Sequence, residues 1–507
     1  MLSIINSTAL HGLEGQLIRV EVDVSNGLPN FDLVGLPDAS VKEARERVRS
    51  AIRNAGFEFP IKRITVNLAP ADIKKEGSLY DLAMAVGILA ATDQMDPVVC
   101  GRYAFLGELS LNGGVRGVAG ILPNVLASCE SGISSVIVPL ENADEAALCE
   151  RAEVFPVSSL NQLAGFLRGE IKITPHRVNI EEILAAGEKN LPDLCAVRGQ
   201  YTARRALEVA AAGGHNILMV GSPGSGKTLL ARCLPGIIPE ISFEESMETT
   251  KIYSLAGLLR PGLPLIASRP FRSPHHSASA VSLVGGGKFP RPGEISLAHN
   301  GVLFLDEMPE FSKDSLEALR QPLEDGVITI SRVSASITYP AVITLVGACN
   351  PCPCGYYGDH LKSCSCTPGQ VKKYMGKISG PLLDRIDITI NVPRLSYEEL
   401  NAPGLAEGSE KVRERVKKAR EIQKDRFRSL GLPCNARMTG SQARECSLLS
   451  AEAASLIKST FKLLRLSARS HDRLLKVART IADLAGSKTV EGEHLAEALQ
   501  YRKLEGS

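Results

Sequence analysis

Short apolar runs of strand length recur along the chain, separated by stretches with helical periodicity. In the first third, LIRVEVDV (17–24), ITVNLAP (64–70), AFLGELSL (104–111) and SVIVPL (135–140) alternate with helical patterns at 38–56 and 79–92. Short strands interleaved with helices predict an α+β region over residues 1–170. Residues 171–190 read as a connector. From 191 to 395 a helical YTARRALEVAAAGG leads into NILMV (216–220), followed by VLFLDE (302–307) and AVITLVGACN (341–350). These runs look buried on both faces, so they predict an α/β region with a mostly parallel, doubly wound sheet. Residues 396–507, ending in AEALQYRKL, read as nearly all helix. The chain carries no internal repeat and no low-complexity tract.

At 507 residues the chain is long enough for two to four domains, each with its own core. Hydrophobic content of 44% and charged content of 22% are those of a soluble globular protein. A net charge of +2 gives no global basic field, so any nucleic-acid surface must be local. No apolar run reaches membrane-spanning length, and MLSIINSTALHG lacks a signal pattern, so a cytoplasmic protein with no membrane partner is expected. There is no tryptophan, which leaves base stacking to a few Tyr, Phe or His.

Between the run ending at Val220 and the helical LLA (229–231) lies GSPGSGKT: Gly221, Ser222, Pro223, Gly224, Ser225, Gly226, Lys227 and Thr228. Strand, glycine-rich turn and helix is the arrangement that cradles nucleotide phosphates. Backbone N–H groups and the helix N-terminus face the anion, Lys227 reaches the outer phosphates, and the Thr228 hydroxyl ligates Mg2+. VLFLDE ends in two carboxylates: Asp306 is placed to hold magnesium and Glu307 to polarise the attacking water. TLVGACN delivers Asn350 at a strand end, where an amide senses the γ-phosphate or holds the water. Arg385, in SGPLLDRIDITI, is a candidate arginine finger for a neighbouring subunit's ATP, or else an ion-pair partner of Asp384 or Asp387. Arg469, with Arg473 one turn on, is a candidate lid arginine, or else part of a solvated basic face.

Twelve cysteines are spread through the chain, and five of them crowd into residues 349–366. Crowding without a signal peptide favours metal over disulfides. Two C-x-C pairs, Cys352/Cys354 and Cys364/Cys366, flank a nine-residue loop, and four thiolates on one small loop suit a closed, structural Zn2+ site. Cys349 and His360 are possible substitute ligands, and reduced free thiols are the alternative.

The segments RPFRSPHHSASAVSLVGGGKFPRPGEISLAHNGVLFLDEMPEF (269–311), NPCPCGYYGDH (350–360), ISGPLLDRID (378–387) and ARTIADLAG (478–486) resemble the AAA+ ATPases. Within these the resemblance is to the magnesium-chelatase-like branch and its bacterial YifB/ComM family, and it runs along nearly the whole chain. It implies an AAA+ P-loop core, an all-α lid and a homo-hexameric ring with active sites at subunit interfaces. It also implies an insertion before VLFLDE and a hairpin around GVITISRVSASITYPA, both facing the ring pore.

The N-terminal segments GLPDASVKEARERVRSAIRNAGFEFP, ITVNLAPADIKKEGSLYDLAMAVGILAA and GELSLNGGVRGVAGILPNVLASCESGI resemble the Lon-type protease domain. That fold uses a Ser nucleophile after a Lys-x-Gly-Pro turn and a Lys base. In Lys75-Glu76-Gly77-Ser78-Leu79, Ser78 stands at the proline position and Leu79 at the nucleophile's, and Leu122 occupies the base's place. Leucine takes no proton, so the Ser–Lys pair cannot form. A structural or interaction domain is expected.

Arg269, Arg272, Lys288 and Arg291 lie in the glycine-rich insertion around His275 and His276, and Arg332 lies in the hairpin. Such basic loops could track single-stranded or branched DNA, or else are solvated or packed on a neighbouring subunit. The family resemblance implies an ATP-driven DNA translocase promoting branch migration, with recombination or DNA-uptake proteins as partners. The second reading is a chelatase-type motor that remodels a protein for metal insertion. It is weakened because the chain has no D-x-S-x-S metal motif.

Overall fold

A computed structural model describes residues 1–187, 191–260, 262–287, 291–332, 335–401, 407–463 and 467–502. The backbone divides into two units: Met1–Ala186 with Phe243–Ala267, and Gly187–Ser242 with Ser268–Ser507.

The N-terminal unit is built on seven strands in the spatial order Asn30–Val34, Arg63–Ala69, Glu14–Ser25, Leu2–His11, Ala104–Phe105, Ser135–Pro139 and Glu153–Val157. Alternation along Glu14–Ser25 turns Ile18, Val20, Val22 and Val24 inward. Leu2–His11 pairs with it antiparallel, from Leu2 opposite Asp23 to His11 opposite Glu14. Helix Asp81–Ala91 is buried at every position. It lies close to the sheet at Gly87, where a Cβ would stand 2.5 Å from Val22 Cγ2. Its buried Asp81 is held by Arg47, with Nε to Oδ2 at 2.7 Å. AFLGELSL is two short strands, Ala104–Phe105 and Glu108–Leu109, because Gly107 leaves the sheet to bond Leu79.

The segment Phe243–Ala267 comes from inside the range expected for the ATPase core, yet it packs in this unit. Gly120 donates its N–H to Ser254 O at 2.9 Å, and Leu265 joins Leu122 and Leu148 in a small apolar cluster.

The second unit is an α/β P-loop core with a helical lid. Its main sheet has five strands, all parallel, in the order Phe271–Arg272, Val302–Leu305, Thr344–Cys349, Ile217–Val220 and Ile388–Asn391. Ile217–Val220 and Val302–Leu305 are buried at every residue, which is why they are continuous apolar runs. Val327–Arg332 and Ala335–Pro340 form the expected hairpin. Lid helices Ser409–Arg426 and Ala468–Leu484 pack in one core with Tyr201–Gly213 and Lys227–Ile237. Val412, Val416, Ala419 and Gln423 form the buried face of the first, and its charges lie on the other faces. No helix among the described residues is long and apolar enough to cross a membrane.

Candidate active site

The phosphate loop leaves Ile217–Val220 at the carboxyl edge of the sheet, where open α/β folds bind ligands. Gly221 donates to Cys349 O at 3.1 Å, and a Cβ there would lie 2.2 Å from Val392 O, so a larger residue does not fit. Gly224 and Gly226 have φ of +77° and +91°, the left-handed region glycine enters without strain. Lys227 opens helix Lys227–Ile237, and its buried ammonium donates to Gly221 O at 2.6 Å and Ser222 O at 3.0 Å. Burial lowers its pKa from the ordinary lysine value.

The residues expected around this loop converge on it. Thr228 Oγ1 donates to Asp306 Oδ2 at 3.0 Å, which brings the two magnesium candidates together. Asn350 Oδ1 lies 3.4 Å from Lys227 Nζ. Glu307 is next to Asp306 and donates its N–H to Asp306 Oδ1 at 2.9 Å. Its backbone is left-handed, with φ +49°, a cost for a non-glycine residue that is repaid where the side chain must be aimed. The Glu307 carboxylate faces His276 Nδ1 at 3.4 Å, and the His276 ring packs on His275 at 4.1 Å between centroids. His276 is therefore a site residue that sequence reasoning placed in a DNA-tracking loop. The adjacent pair of histidines was the signal, but nothing in the chain order pointed it at Glu307.

Arg385 is held within its own subunit. Nε donates to Arg320 O at 3.1 Å, Nη1 to Pro381 O at 2.8 Å, and Nη2 pairs with Glu324, rather than with Asp384 or Asp387. Its turn is tied to the phosphate-loop strand, because Asn216 Nδ2 donates to Arg385 O at 2.8 Å. The lid holds the same turn: Arg473 bonds Leu383 O and Ile386 O, each at 3.0 Å, and Asp384 Oδ1 at 2.9 Å. Arg469, one turn earlier on that helix, is exposed. Buried His215 bridges sheet and lid, to Asp387 at 3.0 Å and to Thr480 at 2.8 Å.

The four expected cysteines meet. Sγ of Cys352 lies 3.3 Å from that of Cys354 and 3.6 Å from that of Cys364, with Cys354 and Cys364 at 3.5 Å. Cys366 completes a group whose sulfurs all lie within 4.8 Å of one another. A tetrahedral zinc with Zn–S bonds of about 2.3 Å spaces its sulfurs by about 3.8 Å, so the set fits that ion. Cys349 is buried at its strand end and His360 is exposed; neither belongs to the group.

The basic candidates for DNA are divided. Arg269 spends its guanidinium on Pro239 O, Glu240 O and Asn300 O. Arg272 forms a two-bond pair with Glu294, both bonds at 2.7 Å. Arg269 thus ties the start of the insertion to residues 239, 240 and 300, and Arg272 is a tie within it. Arg291 is exposed on a short ribbon. Lys288 lies outside the described residues, as does the side chain of Arg332, whose backbone ends strand Val327–Arg332. In the N-terminal unit, Leu79 and Leu122 are buried core residues. The Ser78 hydroxyl donates to Glu108, a partner its sequence neighbourhood did not offer, and the buried Lys75 bonds Pro70 O.

Family models described as "Magnesium chelatase, subunit ChlI", "Subunit ChlI of Mg-chelatase" and "Magnesium chelatase, subunit ChlI C-terminal" match residues 193–400, 20–142 and 406–502. The chain is 47% identical over 507 residues to competence protein ComM of Haemophilus influenzae, covering 99% of this chain and 98% of that one. It is 44% identical over 513 residues to the protein YifB of Escherichia coli, at 99% and 97% coverage. Against Lon protease 2 of Bacillus subtilis it is 30% identical over 156 residues, which cover 27% of this chain and 28% of the protease. The chain belongs to the ComM/YifB family of magnesium-chelatase-like AAA+ ATPases, with a Lon-protease-like N-terminal region. Membership implies ATP hydrolysis with Mg2+.

Proposed function

We propose that the protein is a cytoplasmic, hexameric AAA+ motor that translocates along DNA and promotes branch migration, in recombination or in the uptake of transforming DNA. The observation that carries this reading is end-to-end similarity to a relative whose name is competence protein, on a chain with an assembled phosphate-loop site. In the proposed cycle Lys227 neutralises the outer phosphates, and Thr228 and Asp306 hold Mg2+, which when bound withdraws charge from them. Glu307 orients the attacking water and Asn350 senses the γ-phosphate. Arg385 acts at the neighbouring subunit's ATP, so each site is completed across an interface, and Arg469 is the lid arginine to the γ-phosphate. Residues 1–170 are a non-catalytic assembly domain, because Leu79 and Leu122 cannot supply a nucleophile or a base. The domain order continues with a connector (171–190), the ATPase core (191–395) and the lid (396–507). Arg291, with Lys288 and Arg332, contributes the charge that tracks the DNA backbone. The four cysteines hold a structural zinc.

The test is ATPase rate with and without single-stranded and branched DNA at low and high salt. Stimulation that weakens with salt is expected. No stimulation by any DNA, together with no binding at low salt, sinks the translocase reading. That outcome would leave a chelatase-type motor acting on a protein partner, a reading favoured by the magnesium-chelatase family match.

A further inference from the structure

The cysteine loop forms one wall of the phosphate loop. Asn350, which touches Lys227, stands two residues before buried Cys352. Gly355, next to Cys354, has φ +88° and lies directly on Pro223. A Cβ there would stand 2.7 Å from both Cγ and Cδ of that ring. At the far side of the same loop the Asp359 carboxyl is held below the usual carboxylate range, first by the nearby Ser222 side chain. The same carboxylate accepts the N–H groups of Leu361 at 2.8 Å and Lys362 at 3.1 Å, shaping the return to Cys364. Residues 355–363 have no helix or strand of their own. Their course is set at both ends by where the Cys352/Cys354 and Cys364/Cys366 pairs are pinned.

From this we propose that metal occupancy of the four-cysteine cluster is coupled to nucleotide binding. A loaded cluster fixes Gly355 and Asp359 against Ser222–Pro223 and so preorganises the loop that receives the phosphates. Without the ion, four thiol groups crowded within 4.8 Å lose what holds them together, and the wall loosens. The inference rests on the zinc reading and adds to it a regulation of the ATP site. By linkage the effect is reciprocal: if zinc tightens nucleotide binding by some factor, nucleotide tightens zinc binding by the same factor.

The experiment uses the full chain. Elemental analysis establishes zinc content. Calorimetry then measures Kd for Mg2+ and a non-hydrolysable ATP analogue in the loaded and chelator-treated protein. Competition against a chromogenic chelator gives zinc affinity with and without the analogue. Expected is one zinc per chain and a nucleotide Kd weaker by about fivefold or more on zinc removal, the lower end of ordinary coupling, with the same factor in zinc affinity. Gly355→Ala and Asp359→Ala, which keep all four cysteines, should retain zinc yet bind nucleotide more weakly and lose the reciprocity. If the zinc-free protein unfolds, these two variants decide alone. Unchanged nucleotide affinity in both, or equal affinities in loaded and chelated wild type, overturns the coupling while leaving the zinc site standing. Absence of zinc from folded protein overturns the zinc reading itself, and the coupling with it.

Discussion

Replacing Arg385 with alanine separates two roles that its surroundings allow. Within the chain the guanidinium is 15% exposed and makes three contacts: two to backbone carbonyls and one to Glu324, itself 55% exposed. Carbonyl hydrogen bonds contribute about 1 kcal/mol each and a solvent-exposed ion pair about 0.5 kcal/mol, so releasing the side chain costs about 2–3 kcal/mol. A finger acting on a neighbour's ATP is worth about a thousandfold or more in turnover, which is about 4 kcal/mol or more at the transition state. The gain exceeds the cost, so exchanging the intrachain contacts for the γ-phosphate is favourable. Arg385→Ala should therefore lower kcat about a thousandfold, with nucleotide affinity within a few-fold of wild type and a stability loss below about 3 kcal/mol. The assay is steady-state ATPase alongside calorimetric nucleotide binding, then mixing with Lys227→Ala subunits, which should restore part of the activity. Glu324→Gln, which weakens the intrachain tie alone, should leave kcat at or above wild type. A kcat for Arg385→Ala within tenfold of wild type, or no complementation in verified mixed rings, refutes the finger and leaves Arg385 a structural tie.

Glu307→Gln should bind nucleotide within about threefold of wild type while turnover falls about 10²–10⁴-fold, the usual worth of a positioned base; unchanged hydrolysis in the same assay would reassign Glu307. Asp483, fully buried in the lid, accepts from Arg426, Arg479 and Asn435, so Asp483→Ala leaves two guanidinium groups without their carboxylate counter-charge. Its unfolding in urea should show a loss of about 3–5 kcal/mol in the transition that includes the lid, and a loss under about 1 kcal/mol would count against a structural network there. Burial alone would raise the Asp387 carboxyl, but the bond from His215 and the charges of His215, Lys476 and Arg473 outweigh it and hold it below its ordinary 3.8. A carboxyl lowered in this way contributes stability above about pH 4 and loses it as pH falls further. The stability gap between wild type and Asp387→Asn should thus shrink between about pH 5 and pH 3 in urea titrations; a gap independent of pH disproves the assignment.

The phosphate site was legible because its geometry is written in contiguous residues. Eight residues from Gly221 to Thr228 carry the loop, and a fully buried strand necessarily delivers Asp306 to the sheet edge beside it. The two cysteine pairs were legible for the same reason: each pair is local, and only one short loop separates them. The first strand was not. Along Leu2–His11 the usual alternation is blurred, with Leu2 and Ile4 exposed while Ser3 and Ser7 share the inward face with Ile5 and Ala9. Small hydroxyls are tolerated there because Ser3 donates to Gly87 O at 2.7 Å and Ser7 to Phe105 O at 3.0 Å. Helix Phe243–Ala256 was hidden in a similar way. Its buried Thr249 and Thr250 bond back to Glu245 O and Ser246 O at 2.8 and 2.7 Å, so the inward face looks polar in sequence.

What remained illegible shares one cause: it depends on side chains brought together from far along the chain. His276 reaches Glu307 only because strand Phe271–Arg272 lies beside Val302–Leu305, a pairing no local spacing announces. Arg269 and Arg272 illustrate the converse. Their insertion reads as a free basic loop, yet the carbonyls of residues 239, 240 and 300 and the Glu294 carboxylate absorb their donors. A count of positive residues therefore overstates the charge this loop can offer a phosphate backbone. If DNA is the load, Arg291, Lys288 and the hairpin that carries Arg332 must supply most of the contact, and the salt dependence of binding should reflect a few phosphates per subunit rather than five.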